Sequence, residues 1–294
     1  MSKITISVGL DYHPGSVQVC VLDPSGKVLA NGSRGNCSEE LDRVVRVHGD
    51  RIRAAIEVSP GAAHLAHELV TRFGWSVDMA HPGYVARIKQ SPDKTDYSDA
   101  RLLADLTRVG YLPKVWLALP EIQDLRAVTR HRAELAQQKR ATRLRVGAML
   151  RNQRLVAPCN VWTKAWLNWL RDEAQLGEQG RWVLDRHLRE LERLTAEIKI
   201  IEHRLAELTA RDRFVQFLLG QRGIGLVTAV TMRAELGQVD RFRTAKQLSR
   251  FCGVSPRNAS SGRRQSDAGL IVIVYRVRGI VMSRLWAASF LLVV

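Results

Sequence analysis

The stretch VGLDYHPGSVQVCVLD, residues 8–23, carries an apolar run to an aspartate and then turns straight back into a second apolar run. Val8–Leu10 and Val17–Leu22 are apolar and rich in β-branched residues, and His13-Pro14-Gly15 between them is turn chemistry. The pattern predicts two antiparallel strands with Asp11 at the end of the first. A carboxylate beside a buried run is costly to desolvate unless a cation, a backbone nest or a metal ion offsets it.

Working outward, Pro24-Ser25-Gly26 is a second turn, and β-rich runs follow at 27–31, 52–58 and 75–79. "SEELDRVVRVHG" and "GAAHLAHELVTRFG" have helical spacing, and each ends near a glycine suited to a C-terminal cap. Residues 1–115 therefore read as an α/β domain of order β-β-β-α-β-α-β-α, which resembles the ribonuclease-H-like fold.

The rest reads as helical. Residues 116–212 form a connector of two long helices, one from Pro120 to about Leu155 and one over roughly 181–211. The first carries Arg126, Arg130, Arg132, Lys139, Arg140, Arg143, Arg145, Arg151 and Arg154 with few acidic residues between them, as phosphate contact requires. The second has a stripe at Leu184, Leu188, Leu191, Thr195, Ile198, Ile201, Leu205 and Leu208, a coiled-coil-like spacing with one break in heptad order. The stripe could pack on the first helix or on a second copy, and a homodimer or higher homo-oligomer is expected. Trp162, Trp166 and Trp169 read as one packed helix face. Residues 213–270 read as a small all-α unit resembling a helix-hairpin-helix, with Gly223 and Gly225 in a hairpin suited to a backbone phosphate.

The 294-residue chain has 45 Lys+Arg against 29 Asp+Glu, a formal charge of +16, with 46% hydrophobic residues. That combination describes folded domains facing a polyanion, DNA before membrane, and argues against a disordered basic tail. The four cysteines form no CxxC pair, so they read as reduced thiols and not as a zinc site. "MSKITISVGLD" lacks a signal-peptide pattern and no apolar run reaches membrane length, so the expectation is cytoplasmic with no membrane partner.

The chemistry-bearing residues are acidic. Asp11 ends the first strand, Glu57 ends "IRAAIEV", and "KTDYSDARLLADL" sets Asp96 and Asp99 on one face at a helix start. Four converging carboxylates repel unless cations separate them, and Mg²⁺ prefers such oxygen donors. Two ions so held can activate and clamp the oxygens of a phosphodiester. Singly, each residue has a structural reading: helix cap for Asp96, surface residue for Asp99, salt-bridged residue for Glu57. His13 reads as a turn residue.

"GLDYHPGSVQVCVLDPSGKVL", "AIEVSPGAAHLAHEL", "KTDYSDARLLADL", "RGIGLVTAVTMRAELG" and "FCGVSPRNASSGRRQ" occur in the order found in one transposase family. The chain resembles transposases of the insertion sequence 110 type, whose N-terminal domain is similar to RuvC-type Holliday-junction resolvases. The resemblance implies a metal site at Asp11, Glu57, Asp96 and Asp99, a coiled-coil connector, a C-terminal domain with a nucleophilic serine, and a structured guide RNA as partner. The serine falls in "SPRNASSGRRQ", at Ser260 or Ser261, which spacing does not separate; Arg257, Arg263 and Arg264 beside it suit a phosphate.

The expected function is thus a DNA transposase or recombinase. A metal-dependent, structure-selective nuclease and an inactive nucleic-acid-binding relic are the alternatives. The relic is suggested by residues 271–294, "IVIVYRVRGIVMSRLWAASFLLVV", which lack a clean helical period and read as a frameshifted tail beginning near Leu270.

Overall fold

The computed structural model describes residues 5–88, 95–253, 256–258 and 267–270. It divides into two compact units, Met1–Ala118 and Leu119–Val294.

In the first unit, β1 (Thr5–Tyr12), β2 (Ser16–Leu22) and β3 (Val28–Gly35) form an antiparallel meander. β4 (Arg51–Glu57) and β5 (Ser76–Ala80) extend the sheet in parallel from the other side of β1, and β6 (Lys114–Val115) pairs antiparallel at the edge. The order is β3-β2-β1-β4-β5-β6. Parallel neighbours need crossovers, and α1 (Ser38–Arg46) and α2 (Ala62–Phe73) supply them; α3 (Pro82–Ile88) and α4 (Asp96–Arg108) follow β5.

Side-chain alternation gives the sheet two faces. Ile6, Val8, Leu10, Val17, Val19, Val21, Ile52, Ala54 and Ile56 pack against Leu41 and Val45 of α1 and Leu65 and Leu69 of α2. The opposite face receives α4: Ala55 meets Leu103 and Leu106, and Cys20 and Leu22 meet Ala100 and Ala104. Asp11 shares the parity of Gly9, and Glu57 that of Ala55, so both belong to the α4 face at the ends of adjacent strands.

The second unit is mainly helical: α5 (Pro120–Asn152), α6 (Lys164–Asp172), α7 (Glu178–Thr209), α8 (Arg213–Leu219), α9 (Leu226–Leu236), a 3₁₀ turn at Val239–Arg241 and α10 (Ala245–Phe251). Two short strands, β7 (Pro256–Asn258) and β8 (Asp267–Leu270), pair antiparallel, so the all-α expectation for residues 213–270 is amended by a small ribbon.

The α7 stripe is covered within the chain. Leu184, Leu188 and Leu191 pack with Val146 and Leu150 of α5, Leu194 and Ile198 with Leu135, and Leu205 with Leu125. The buried set drifts around the helix because 3.6 residues per turn does not keep a fixed three-four step. Leu194 is therefore buried, whereas Leu208 of the expected stripe is exposed. The tryptophan trio also differs from a single helix face. The Thr163 hydroxyl caps α6 by accepting from Trp166 N–H, leaving Trp162 ahead of the helix with φ +65°. Its ring still packs on Trp166 at 4.6 Å between centroids. Among the described residues no helix is long and apolar enough to cross a membrane.

Candidate active site

Three elements bring the first unit's acidic residues together. β1 carries Asp11 to the sheet edge, the turn at 13–15 presents His13, and α4 begins with Asp96. The cap of α4 is Thr95 and not Asp96: Ser98 N–H donates to Thr95 Oγ1 at 3.2 Å, and Thr95 N–H donates to Ser98 Oγ at 3.3 Å. This reciprocal capping box relieves Asp96 of the capping role and leaves its carboxylate for other partners. Asp96 and Asp99 in the first turn also suit the positive end of the helix dipole.

His13 Nε2 lies 3.5 Å from Asp11 Oδ2 and 3.5 Å from Asp96 Oδ2. Ligating atoms of Asp11, His13 and Asp96 all fall within 4.8 Å of one another, the one such group among the described residues. Asp11 is the sheltered member, its side chain 21% exposed against 48% for His13 and 64% for Asp96. Burial pushes the Asp11 carboxyl above its ordinary range; His13 pulls it down, and the charges of Asp96 and Asp99 push it further up. Asp99 is thus in electrostatic reach of Asp11 without belonging to the tight group. Glu57 stands half-buried on the same sheet face, one strand over, also outside that group. Two carboxylate oxygens and an imidazole nitrogen converging on one small volume suit a divalent cation.

Reasoning from sequence took His13 for a turn residue. It is in the turn, yet its ring bridges two carboxylates. The signal was the Asp-x-His spacing at 11 and 13, which places both residues on one side of an extended segment.

The basic residues of α5 divide into two sets. Arg126 donates through Nε to the Ala234 carbonyl at 2.7 Å, and Arg130 and Arg132 reach Glu235 and Glu202 at 3.6 and 2.6 Å. These three serve the packing of the second unit. Arg140 and Arg143 are exposed. Gly223 takes φ +86°, and Gly225 is the N-cap of α9 with no side-chain cap bond. Arg257 lies on β7. Ser260, Ser261, Arg263, Arg264 and the tail from 271 lie outside the described residues.

Comparison with known proteins covers both units. Residues 8–153 match a family model described as a transposase, of the DEDD type named for IS110, and residues 215–287 match one described as the Transposase IS116/IS110/IS902 family. The second match continues past Leu270, where the sequence alone suggested a break. The chain is 26% identical over 208 residues to a protein of Sinorhizobium fredii bearing the name transposase y4qE, covering 69% of this chain and 50% of that protein. It is 22% identical over 266 residues to the transposase for insertion sequence element IS1111A of Coxiella burnetii, covering 90% and 72%. It is 24% identical over 219 residues to the transposase for insertion sequence element IS1328 of Yersinia enterocolitica, covering 74% and 64%. The chain therefore spans half the length of the first of these relatives.

Proposed function

Because the chain belongs to the IS110-type family of insertion-sequence transposases, we propose that it cleaves and rejoins DNA strands of a mobile element, with Mg²⁺ held by Asp11, Glu57, Asp96 and Asp99 and with Ser260 or Ser261 as nucleophile. The observation that carries this reading is the convergence of Asp11 and Asp96, with Asp99 in electrostatic reach, at one edge of the sheet. The strand order, with three antiparallel strands continued by parallel β4 and β5, supports a ribonuclease-H-like domain over residues 1–115. The α8–α9 pair with Gly223 and Gly225 between its helices supports a helix-hairpin-helix-like unit within 213–270, and the α5–α7 pair supports the connector role of 116–212.

The donor set fits a hard divalent cation, since oxygen atoms dominate it. When bound, a pair of such ions supplies Lewis-acid stabilisation to the oxygens of the reacting phosphodiester. Asp11 and Asp96 would hold such an ion, with Glu57 of the adjacent strand and Asp99 of the same α4 face as its further carboxylate donors. The serine hydroxyl oxygen attacks phosphorus, forming a serine–phosphate ester as the bond to the leaving strand's oxygen breaks and that oxygen takes a proton. A strand hydroxyl then attacks the ester and releases the serine. Arg257, Arg263 and Arg264 offset the phosphate charge. A structured RNA guides the choice of strand, and a homo-oligomer acts on the paired ends.

The test is cleavage and rejoining of DNA carrying the element ends, with the co-purifying nucleic acid sequenced and supplied. Asp11→Asn should lose both steps and keep DNA binding. Replacing both loop serines by alanine should abolish covalent protein–DNA product; retained cleavage with lost strand exchange points instead to a metal-dependent nuclease.

A further inference from the structure

A groove of about 520 Å³ lies between α5 and α7. Arg132, Lys139, Arg140 and Arg143 line one side and Lys199 the other, with Glu202 the one carboxylate. Arg132 Nη2 holds Glu202 Oε1 at 2.6 Å, and the lining carries five cations, Arg132, Lys139, Arg140, Arg143 and Lys199, against one carboxylate. The Arg143 guanidinium lies 4.9 Å over the Trp162 ring, which orders it before anything binds. Residues 132, 136, 139, 140 and 143 recur at helical spacing, so the cations form a stripe about 16 Å long at 1.5 Å per residue.

We propose that this groove seats the phosphodiester backbone of a nucleic acid strand. The proposal rests on the nucleic-acid reading of the family and deepens it, replacing a diffuse basic face with a defined seat. Like charges at this proximity repel: burial first, then Arg143 and Lys199, pull the Lys139 ammonium below its ordinary value. Such a cluster is relieved by an anion that touches several cations at once, and a strand with a regular series of phosphates does this while releasing its own counterions. A solvated face would instead intersperse acids among its bases, as α7 does outside the groove with Glu190–Arg193 and Glu207–Arg204. Glu202 limits the seat by competing for Arg132.

The experiment uses the full chain and two labelled probes of matched length, a structured RNA and a DNA duplex, with affinity measured across a salt series. Lys139→Gln with Arg143→Gln should weaken binding about tenfold or more at low salt and reduce the slope of log K against log salt by about one to two. Lys199→Glu, on the opposite helix, should weaken binding independently, and Glu202→Gln should tighten it several-fold. The probe whose affinity falls identifies whether RNA or DNA occupies the groove. If wild type binds with a steep salt slope and all groove variants match it, the groove is not the seat, and the wider nucleic-acid reading survives. If wild type binds neither probe in a salt-dependent way, the wider reading fails too. Groove variants that change sedimentation but not affinity would make this an interface between copies and overturn the proposal. Unchanged melting temperatures show that the variants fold.

Discussion

Gly9 of β1 meets the backbone of Ala100 in α4 so closely that a Cβ on the glycine would lie 1.8 Å from the Ala100 carbonyl oxygen and 2.6 Å from Ala104 nitrogen. Strand and helix touch backbone to backbone, and Asp11 and Asp96 sit two residues and one turn beyond that contact. Gly9→Ala must push α4 outward, because neither neighbouring atom belongs to a flexible side chain. The expected loss is about 1–3 kcal/mol of stability, the usual range for overpacking. Divalent-cation affinity, measured by calorimetry, should fall with it as Asp96 moves off Asp11.

Asp11 predicts a pH effect on the cation-free protein. Burial, and then Asp96 and Asp99 against the opposing pull of His13, holds its carboxyl above the ordinary value near 3.8. A carboxyl raised in the folded state favours folding while protonated. That contribution is full below the unfolded value and is lost as pH rises through the raised folded value. In chelator, Asp11→Asn should therefore melt above wild type at pH 7, and the two should converge near pH 3. Saturating divalent cation should stabilise wild type and leave the variant unmoved.

His13 makes the metal preference testable. An imidazole nitrogen among carboxylates favours Mn²⁺ or Co²⁺ relative to a purely oxygen site, while Mg²⁺ gains little from it. His13→Ala should weaken Mn²⁺ binding by about tenfold, with Mg²⁺ affinity nearly unchanged. Equal losses for both ions would show that the ring merely spaces the two carboxylates.

The cysteines give a chemical map. Burial pushes Cys20 and Cys252 up to about 11, from an ordinary value of 9.0, whereas Cys37 is exposed. Thiol alkylation at pH 8 should mark Cys37 rapidly and spare Cys20 and Cys252 until unfolding, read by mass spectrometry. The raised thiols also destabilise the fold in alkali. Unfolded thiols ionise near 9 while the folded ones do not, so stability should fall as pH rises from 9 towards 11.

Much of this was legible because it is local. Turn chemistry at Pro14-Gly15 and Pro24-Ser25-Gly26 gave the meander, and helical spacing gave α5 and α7 to within a few residues at each end. The Asp96/Asp99 spacing gave a shared helix face. What escaped depended on distant partners. Arg126 looked like another member of a basic face, yet its partner carbonyls are about 108 residues away in sequence. The Thr95–Ser98 box could have been read from Thr-x-x-Ser, but the aspartate within it drew the capping role. The α7 stripe leaned towards a second copy in sequence, yet α5 of the same chain covers it, since heptad spacing does not say which helix packs there.

Arg126 supplies the sharpest contrast between a packing role and a binding role. Its Nε and Nη2 donate to the carbonyls of Ala234 and Glu235 at 2.7 and 3.2 Å, at the last turn of α9. A helix end leaves its final carbonyls without intrahelical donors, and here a guanidinium from α5 meets two of them. Burial, partly countered by Glu235, lowers the Arg126 pKa. Arg126→Ala removes both donors and takes a cation from beside the buried Glu235 side chain, which keeps Arg130 across at 3.6 Å. The expected loss is about 2–4 kcal/mol, the range for stranding buried polar and charged partners. Arg126→Lys should recover only part of it, because an ammonium cannot fork across two carbonyls. Arg151→Ala, exposed on the same helix, should change stability by less than about 0.5 kcal/mol. Urea unfolding of the full chain, followed by tryptophan fluorescence, separates these cases. An Arg126→Ala protein that unfolds like wild type but binds nucleic acid more weakly would return this arginine to the phosphate-binding face.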